Sequence, residues 1–184
     1  MTTSLTHGTM HSPLGPLGLV ASPTGLRAVL WPGEDGSRLA RALGASRSTA
    51  DECALAHLRA ARAQIGEYFD GARRVFELDL DPVGTPFQLQ AWAVLRTIPL
   101  GQTMSYAEQA RALGDPARAR AVGAANGRNP LSIVVPCHRV VASSGALAGF
   151  AGGVDAKAWL LAHERRVLGG GRASAGDDPP SGQS

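Results

Sequence analysis

The chain has 184 residues, of which 44% are apolar and 18% are charged. These proportions exclude a disordered chain, and no apolar run reaches the ~18–20 residues that a membrane-spanning helix needs. The net charge is +3, but residues 84–166 carry nine basic and four acidic side chains, whereas residues 1–83 are slightly acidic. A basic second half is a weak indication of a polyanionic partner such as a nucleic acid.

The N-terminus and the cysteines indicate the compartment. Residues 1–15 lack the basic start and apolar stretch of a signal peptide, so we expect a cytoplasmic protein. Two cysteines are too few for a disulfide framework or a cysteine-rich zinc site. Cys53 lies among apolar residues at helical spacing, which predicts a small buried side chain. Only Cys137 has neighbours that indicate reactivity.

The first half predicts a small α/β unit. Residues 17–31 contain two apolar runs joined by a Ser-Pro-Thr-Gly turn, which is typical of a β-hairpin. Helical spacing over residues 49–70, followed by Gly71, predicts a helix of several turns. Residues 73–81 alternate apolar and charged side chains, which predicts a half-buried strand.

Helical patterns begin after residues 81–86, where proline and glycine interrupt the chain. Thr85 is a typical N-cap and Pro86 a typical first helical residue. The helix that they begin should bury one apolar face, made of Phe87, Leu89, Trp92, Leu95 and Ile98.

Two short helices separated by a glycine-containing turn are predicted next, within residues 105–127. Ser105 and Glu108 have the spacing of a capping box, and Asp115 can cap a helix that starts at Pro116. The arrangement fits a helix-turn-helix and a generic helical hairpin equally well.

The second of these helices contains almost only alanine, glycine and two arginines, Arg118 and Arg120. A face of small side chains allows close approach to another surface, such as a DNA groove, with arginines placed to contact phosphates or bases. Tight packing against a neighbouring helix explains the same composition equally well.

The last helix is predicted over residues 156–166, with Asp155 as its cap. No large apolar residue follows residue 168, which predicts a disordered tail. We therefore expect one domain over residues 1–82, a second over residues 83–168 and a tail over residues 169–184.

The run VVPCHRVV, residues 134–141, places Cys137 beside His138. A thiol is a useful nucleophile as thiolate, which a histidine can generate and a carboxylate such as Glu164 can support by orienting the imidazole. Adjacent side chains on a strand point to opposite faces, so the pair needs an irregular backbone or a bridging water. Pro136 favours the irregular backbone. A lone Cys-His pair is more often structural than catalytic.

Several separate motifs resemble the O6-alkylguanine-DNA alkyltransferases (methylated-DNA–protein-cysteine methyltransferases): TPFQLQAWAVLRTIPLGQTMSYAEQA, RAVGAANGRNP and PCHRVVASSGALAGFAGG. The similarity is specific over residues 84–166 and looser before them. The resemblance implies an α/β N-terminal domain, with a small antiparallel sheet and a helix as in ribonuclease H. A mostly α-helical domain, similar to a winged helix-turn-helix, would follow it.

The resemblance also implies the function, a single-turnover DNA repair enzyme. It would flip O6-alkylguanine out of duplex DNA, bound through the minor groove, and transfer the alkyl group irreversibly to Cys137. His138 would act through a water as the base, and Glu164 would orient it. Asn129 would brace the turn, and Tyr106 would crowd the target phosphate and help protonate the departing guanine.

The remaining assignments by resemblance concern substrate binding. Arg120 would enter the duplex where the flipped nucleotide was. The other residues assigned to substrate binding are Ala119, Ala121, Gly123, Arg128, Val140, Phe150 and Ala151. The N-terminal domain lacks the cysteines and histidines that hold zinc in some relatives, so no metal is expected. We expect neither a cofactor nor a membrane partner, and a monomer in solution.

Two residues depart from the family pattern. Phe150 stands where a tyrosine is common, and Ala151 offers no side-chain hydroxyl, which predicts slower action on some adducts. Two other functions compete with alkyl transfer: a DNA-binding protein that senses alkylguanine without reacting, and a helix-turn-helix regulator. Sensors of that kind lack the cysteine, and a regulator has no need of a buried Cys-His-Glu set.

Overall fold

The structure of the protein is a computed structural model that describes residues 4–33, 47–48 and 51–170. The predicted start of the first helix at residues 49–50 and the tail from residue 171 onward lie outside the described residues.

A four-stranded sheet forms the first part of the N-terminal domain. Its strands are β1 (Ser4–Met10), β2 (Leu17–Ser22), β3 (Gly25–Leu30) and β4 (Arg47–Ser48), in the spatial order β3-β2-β1-β4. The pairs β1–β2 and β2–β3 are antiparallel, whereas β4 lies parallel to β1. The predicted hairpin, β2–β3, is confirmed.

The helix α1 (Glu52–Phe69) packs against this sheet. Asp51 caps it by accepting a hydrogen bond from the backbone N–H of Ala54, and Gly71, with a φ of 76°, follows its end as predicted. The prediction of a buried Cys53 is wrong. Cys53 lies in the first turn of α1 on the solvent side, while Ala54 beside it is buried.

The predicted strand over residues 73–81 is also wrong. Only Leu80 forms a bridge, to Leu26 of β3. The side chain of Gln64 instead bonds both backbone groups of Glu77, at 2.8 and 2.9 Å. The apolar alternation was correct about packing, since Phe76, Leu78 and Leu80 contact the core, but at Glu77 a helix side chain takes the place of a partner strand.

Four helices form the C-terminal domain: α2 (Pro86–Leu95), α3 (Tyr106–Ala112), α4 (Ala119–Gly127) and α5 (Gly153–Leu168). A short 3-10 turn, Pro116–Arg118, precedes α4. A second one, Cys137–Arg139, ends the loop that follows α4. Two-residue strands, β5 (Met104–Ser105) and β6 (Val140–Val141), pair in parallel. Among the described helices, none combines the length and apolar character that crossing a membrane requires.

The predicted N-caps of α2 and α3 and the Asp115 cap are confirmed by their hydrogen bonds. Two predictions about these helices are wrong. Leu89 is 40% exposed, because it lies on the outer side of α2. Asp155 lies inside the first turn of α5, which begins two residues earlier behind Gly152.

Two buried amides join the helices of the C-terminal domain. Gln109 of α3 donates to the backbone oxygen of Ala91 in α2 and exchanges hydrogen bonds with Asn126 of α4, at 2.7 and 3.2 Å. The buried face of α4, which includes Val122 and Ala125, packs against these two helices. One apolar cluster continues from this domain into the N-terminal one, so the two domains share a core.

Candidate active site

Cys137 and His138 lie in the 3-10 turn between a buried loop and β6. Cys137 is 6% exposed and His138 is fully buried. The prediction of an irregular backbone at this pair is confirmed, and Pro136 is the residue before the turn. The turn frees the two adjacent side chains from the opposite faces that a strand would impose on them.

The loop that leads into this turn is braced by Asn129. Its Nδ2 donates to the backbone oxygen of Val135 at 2.7 Å, and its Oδ1 accepts from the backbone N–H of Leu131 at 3.0 Å. Ile133, inside the bracket, has a φ of 78°, a conformation that costs a β-branched residue about 1–3 kcal/mol. The buried amide of Asn129 therefore holds a strained loop in place beside Cys137.

Glu164 of α5 lies against His138. Its Oε1 is 2.8 Å from Nε2 of His138, and both side chains are fully buried. Three further groups donate to the same carboxylate: the Tyr68 hydroxyl at 2.9 Å, the Arg139 guanidinium at 2.9–3.1 Å, and the backbone N–H of Gly101 at 2.8 Å. The predicted proximity of Glu164 and His138 is thus present in the fold.

These contacts set the protonation of the pair. Burial would raise the pKa of Glu164, but hydrogen bonds and charge from His138 and Arg139 outweigh it and lower the pKa to about 2. Burial, together with the charges of Arg139 and Lys157, lowers the pKa of His138 below its ordinary value, although Glu164 opposes the shift. A carboxylate can only accept, so Nε2 of neutral His138 carries the hydrogen and Nδ1 is the basic nitrogen.

The basic nitrogen of His138 is placed to take up a proton. Nδ1 is buried and has no hydrogen-bond partner among the described residues. Such a buried acceptor suits a group that receives a proton during a reaction rather than one held in a fixed structural bond.

Lys157, the chain's single lysine, is fully buried behind the turn. Its Nζ donates to the backbone oxygens of Val140 at 2.6 Å and Ala148 at 2.9 Å. Burial lowers the pKa of Lys157, and negative charge on Cys137 opposes that shift. A buried cation near the sulfur favours its thiolate form.

A surface cavity of about 410 Å³ lies beside α4. Its lining residues are Tyr106, Ala119, Arg120, Gly123, Ala148 and Gly149. Four of the predicted site residues therefore meet at one cavity. Tyr106 donates from its hydroxyl to Ala148 at 3.2 Å, and burial, followed by the charge of Cys137, raises the pKa of Tyr106.

The two faces of α4 differ in burial. Arg120, Ala121, Ala124 and Arg128 are exposed, whereas packing against α2 and α3 uses Val122, Ala125 and Asn126. Tight helix packing therefore accounts for one face of α4, and a second face of small residues and arginines is left open to solvent. Ala121 and Arg128 lie on this open face, outside the lining of the cavity.

Phe150 connects the loop before α5 to the N-terminal domain. Its ring meets Trp31 edge-on, with 5.2 Å between centroids, and lies 6.2 Å from the His138 ring. Ala151 beside it is half-buried, and Val140 is fully buried in β6. The three residues lie along the segment from the Cys137 turn to α5.

Three residues at this site were not predicted from the sequence to lie there: Tyr68, Arg139 and Lys157. Arg139, inside an apolar run, and Lys157, the only lysine among 18 basic residues, gave compositional signals. Tyr68 gave none, because its apolar neighbours at helical spacing made it an ordinary core residue.

Comparison with known protein families covers nearly the whole described chain. Residues 5–82 match the 6-O-methylguanine DNA methyltransferase ribonuclease-like domain. Residues 86–166 match the 6-O-methylguanine DNA methyltransferase DNA binding domain. The chain belongs to this family. The resemblance expected from the motifs is therefore confirmed.

Individual relatives of this methyltransferase agree. A Shigella flexneri methylated-DNA–protein-cysteine methyltransferase is 44% identical over 161 residues, 85% of this chain and 94% of the relative. A Mycolicibacterium paratuberculosis protein of the same name is 54% identical over 103 residues, 56% of this chain and 62% of the relative. A crystal structure of Mycobacterium tuberculosis OGT in complex with DNA superposes with a TM-score of 0.77 at 40% identity, covering 88% of this chain and 94% of that one.

The family confirms three predictions from the sequence. The two-domain fold, with a small sheet and helix followed by a helical domain, is that of the solved relatives. DNA repair by alkyl transfer to a protein cysteine is the activity of the family, and the enzyme class expected from the motifs is the one that the curated relatives carry.

Proposed function

We propose that this methyltransferase moves the alkyl group of O6-alkylguanine in duplex DNA to the sulfur of Cys137, once per protein molecule. The observation that carries the proposal is that His138, in the same turn as the cysteine, forms a buried pair with Glu164 of α5, with 2.8 Å between Nε2 and Oε1. A structural cysteine needs no such base. Family membership alone does not choose between Cys137 and exposed Cys53, whereas this geometry does.

The transfer takes place in one displacement. His138 Nδ1 accepts the thiol proton of Cys137 through a water, and Glu164 stabilises the resulting imidazolium. The thiolate attacks the alkyl carbon in line, forming the S–C bond while the C–O6 bond breaks and its electron pair goes to the guanine oxygen. The guanine anion takes up a proton from solvent, with the Tyr106 hydroxyl donating a hydrogen bond as charge develops.

The product explains why the protein is consumed. A thioether has no carbonyl carbon for water to attack, unlike the thioester of a cysteine hydrolase. The same Cys137, His138 and Glu164 arrangement that gives turnover in a hydrolase therefore ends here with an alkylated protein.

The open face of α4 is the proposed DNA contact. Ala119, Ala121 and Gly123 allow the helix to approach the minor groove closely, and Arg128 reaches the phosphates. Arg120 enters the stack where the flipped nucleotide was and offsets part of the extrusion cost of about a few kcal/mol. The Mycobacterium tuberculosis relative was solved in complex with DNA, which supports this partner.

The flipped base enters between Tyr106 and the segment that carries Val140, Phe150 and Ala151. Phe150 offers a ring face for stacking but no hydroxyl, and Ala151 leaves the departing oxygen to backbone N–H groups. We infer slower action on some adducts from these two residues. Asn129 holds the Cys137 turn in position beside this segment. Its two hydrogen bonds to the loop before the turn support this role.

We propose the remaining expectations together with this function. The protein works as a monomer in the cytoplasm, with a supporting domain over residues 1–82, a DNA-binding domain with a helix-turn-helix over residues 83–168, and a tail over residues 169–184. The α3–turn–α4 arrangement, joined by Gln109 and Asn126, supports the helix-turn-helix assignment.

Mass spectrometry tests the function directly. After incubation with duplex DNA containing O6-methylguanine, we expect the peptide with Cys137 to gain one methyl group in place of one hydrogen, and Cys137→Ser to bind the DNA without gaining mass. Cys53→Ser is the control and should react as wild type does. Tight DNA binding with no change of mass on Cys137 would instead favour the alkylguanine sensor.

A further inference from the structure

The hydroxyl of Tyr68 brings the N-terminal domain into the active site. Tyr68 lies on α1, is 1% exposed, and donates to Oε1 of Glu164 at 2.9 Å. That oxygen is also the one that faces Nε2 of His138. Residues from two domains therefore share one carboxylate oxygen.

We propose that Tyr68 is a positioning residue for alkyl transfer, which fixes Glu164 and weakens its hold on a proton at His138. The inference rests on the proposed function of His138 as the base. A hydroxyl that donates to Oε1 disperses the negative charge of that oxygen, so less of the charge remains to stabilise an imidazolium. His138 thus stays neutral, and able to accept the Cys137 proton, at lower pH.

The surroundings of the pair agree with this role. The titratable and charged groups that act on Glu164 and His138 are Tyr68 from α1, Arg139 from the turn and Lys157 from α5, and His163 of α5 lies against Tyr68. Burial and the neighbouring Glu164 raise the pKa of Tyr68 well above its usual value, so its hydroxyl remains a donor. Arg139 and Lys157 also lower the pKa of His138, which is the effect proposed for Tyr68.

The orientation of Tyr68 is itself fixed from several sides. Nε2 of His163 lies 2.8 Å from its backbone oxygen, and the rings of Phe69 and Phe76 lie 5.5–5.6 Å from its own. Removal of the hydroxyl alone should therefore leave the ring in place. Tyr68→Phe is a change of one donor, not of packing.

The test follows single-turnover alkyl transfer by wild type and Tyr68→Phe from pH 5 to pH 8, with O6-methylguanine duplex in excess. We expect the acid limb of the rate profile to move to higher pH in the variant, with a loss of about three- to tenfold at the acid end and little change at pH 8. Ser22→Ala is the control, because it removes a partly buried hydrogen bond to Asp81 elsewhere in the N-terminal domain. It should leave the profile unchanged.

A second measurement does not depend on activity. NMR titration of His138 in the DNA-free protein should show that the imidazole takes up its proton at higher pH in Tyr68→Phe than in wild type. An unchanged titration, or an equal loss of rate at every pH, would overturn the role of Tyr68. Failure of wild type itself to take up the methyl group would overturn the proposed function instead, and the NMR result would still stand.

Discussion

Lys157 Nζ lies 2.6 Å from the backbone oxygen of Val140, and the same ammonium donates to Ala148 at 2.9 Å. One fully buried cation thus joins β6, directly after the Cys137 turn, to the loop before α5. The Ala148 oxygen also accepts from the Tyr106 hydroxyl at 3.2 Å, but that hydroxyl carries no charge and does not reach across to Val140 in the hydrogen bonds of the fold. The ammonium therefore holds together β6 and the loop before α5, the two segments that flank the proposed pocket for the flipped base.

Lys157→Met should loosen this pocket. The variant keeps an unbranched chain of similar length but removes the donor to the buried carbonyl of Val140 and leaves Ala148 with the Tyr106 hydroxyl alone, which we expect to cost about 1–3 kcal/mol of unfolding free energy. Hydrogen exchange should accelerate over residues 142–152, and alkyl transfer should slow. Asp155→Asn, exposed on the same helix, is the control. Wild-type exchange of this loop in Lys157→Met would show that the lysine does not hold it.

Glu164→Gln should flatten the acid dependence of stability. The folded-state pKa of Glu164 lies at about 2, below its usual 4.5, so its contribution of about 3 kcal/mol is present above pH 4.5 and is lost as pH falls toward 2. His138, with a lowered pKa, adds a loss that begins as pH falls below its ordinary value of 6.5. Denaturant unfolding from pH 7 to pH 3 measures both. Glu77→Gln, an exposed carboxylate, should keep the wild-type slope; a wild-type slope in Glu164→Gln would contradict the assignment.

Local rules predicted much of this structure. The capping residues Thr85, Ser105 and Asp115 act through their own neighbours, so sequence spacing was sufficient to place the helix starts. The prediction of a strand over residues 73–81 was wrong because the side chain of Gln64, on α1, makes the hydrogen bonds to the backbone of Glu77 that a partner strand would make. Alternating hydrophobicity shows which side chains are buried, but not what bonds the main chain.

The candidate site divides in the same way. The motif around Cys137 and its family resemblance predicted the pairing of His138 with Glu164, 26 positions apart. No pattern predicted Tyr68, because a tyrosine on an apolar helix face resembles any core residue until the partner of its hydroxyl is known. Contacts between domains depend on tertiary packing, which single-sequence periodicity does not contain.

Asn129→Ala should release the strained loop before the turn. The substitution leaves the N–H of Leu131 without its Asn129 partner and the Val135 oxygen with the backbone N–H of Cys137 alone, and we expect a loss of about 1–3 kcal/mol and slower alkyl transfer. Ser132→Ala is a matched control, because this buried hydroxyl has no hydrogen-bond partner among the described residues. It should cost less than about 1 kcal/mol. Equal losses in the two variants, measured by denaturant unfolding, would argue against the bracing role of Asn129.

Arg120→Ala should separate base flipping from chemistry. Arg120 is exposed at the cavity beside α4 and makes none of the hydrogen bonds of the buried His138–Glu164 pair, so its loss removes the side chain that fills the duplex but leaves the nucleophile intact. We expect duplex repair to slow by about 10–100-fold, because the cost of extruding the nucleotide is no longer offset. Alkyl transfer from the free base O6-methylguanine should stay within about twofold of wild type, because a free base needs no extrusion.

Arg59→Ala, which removes an exposed arginine from α1, controls for the change of net charge and should affect the reaction with neither substrate. Equal slowing on the duplex and on the free base would place the effect of Arg120 in the reaction itself and exclude its role in flipping.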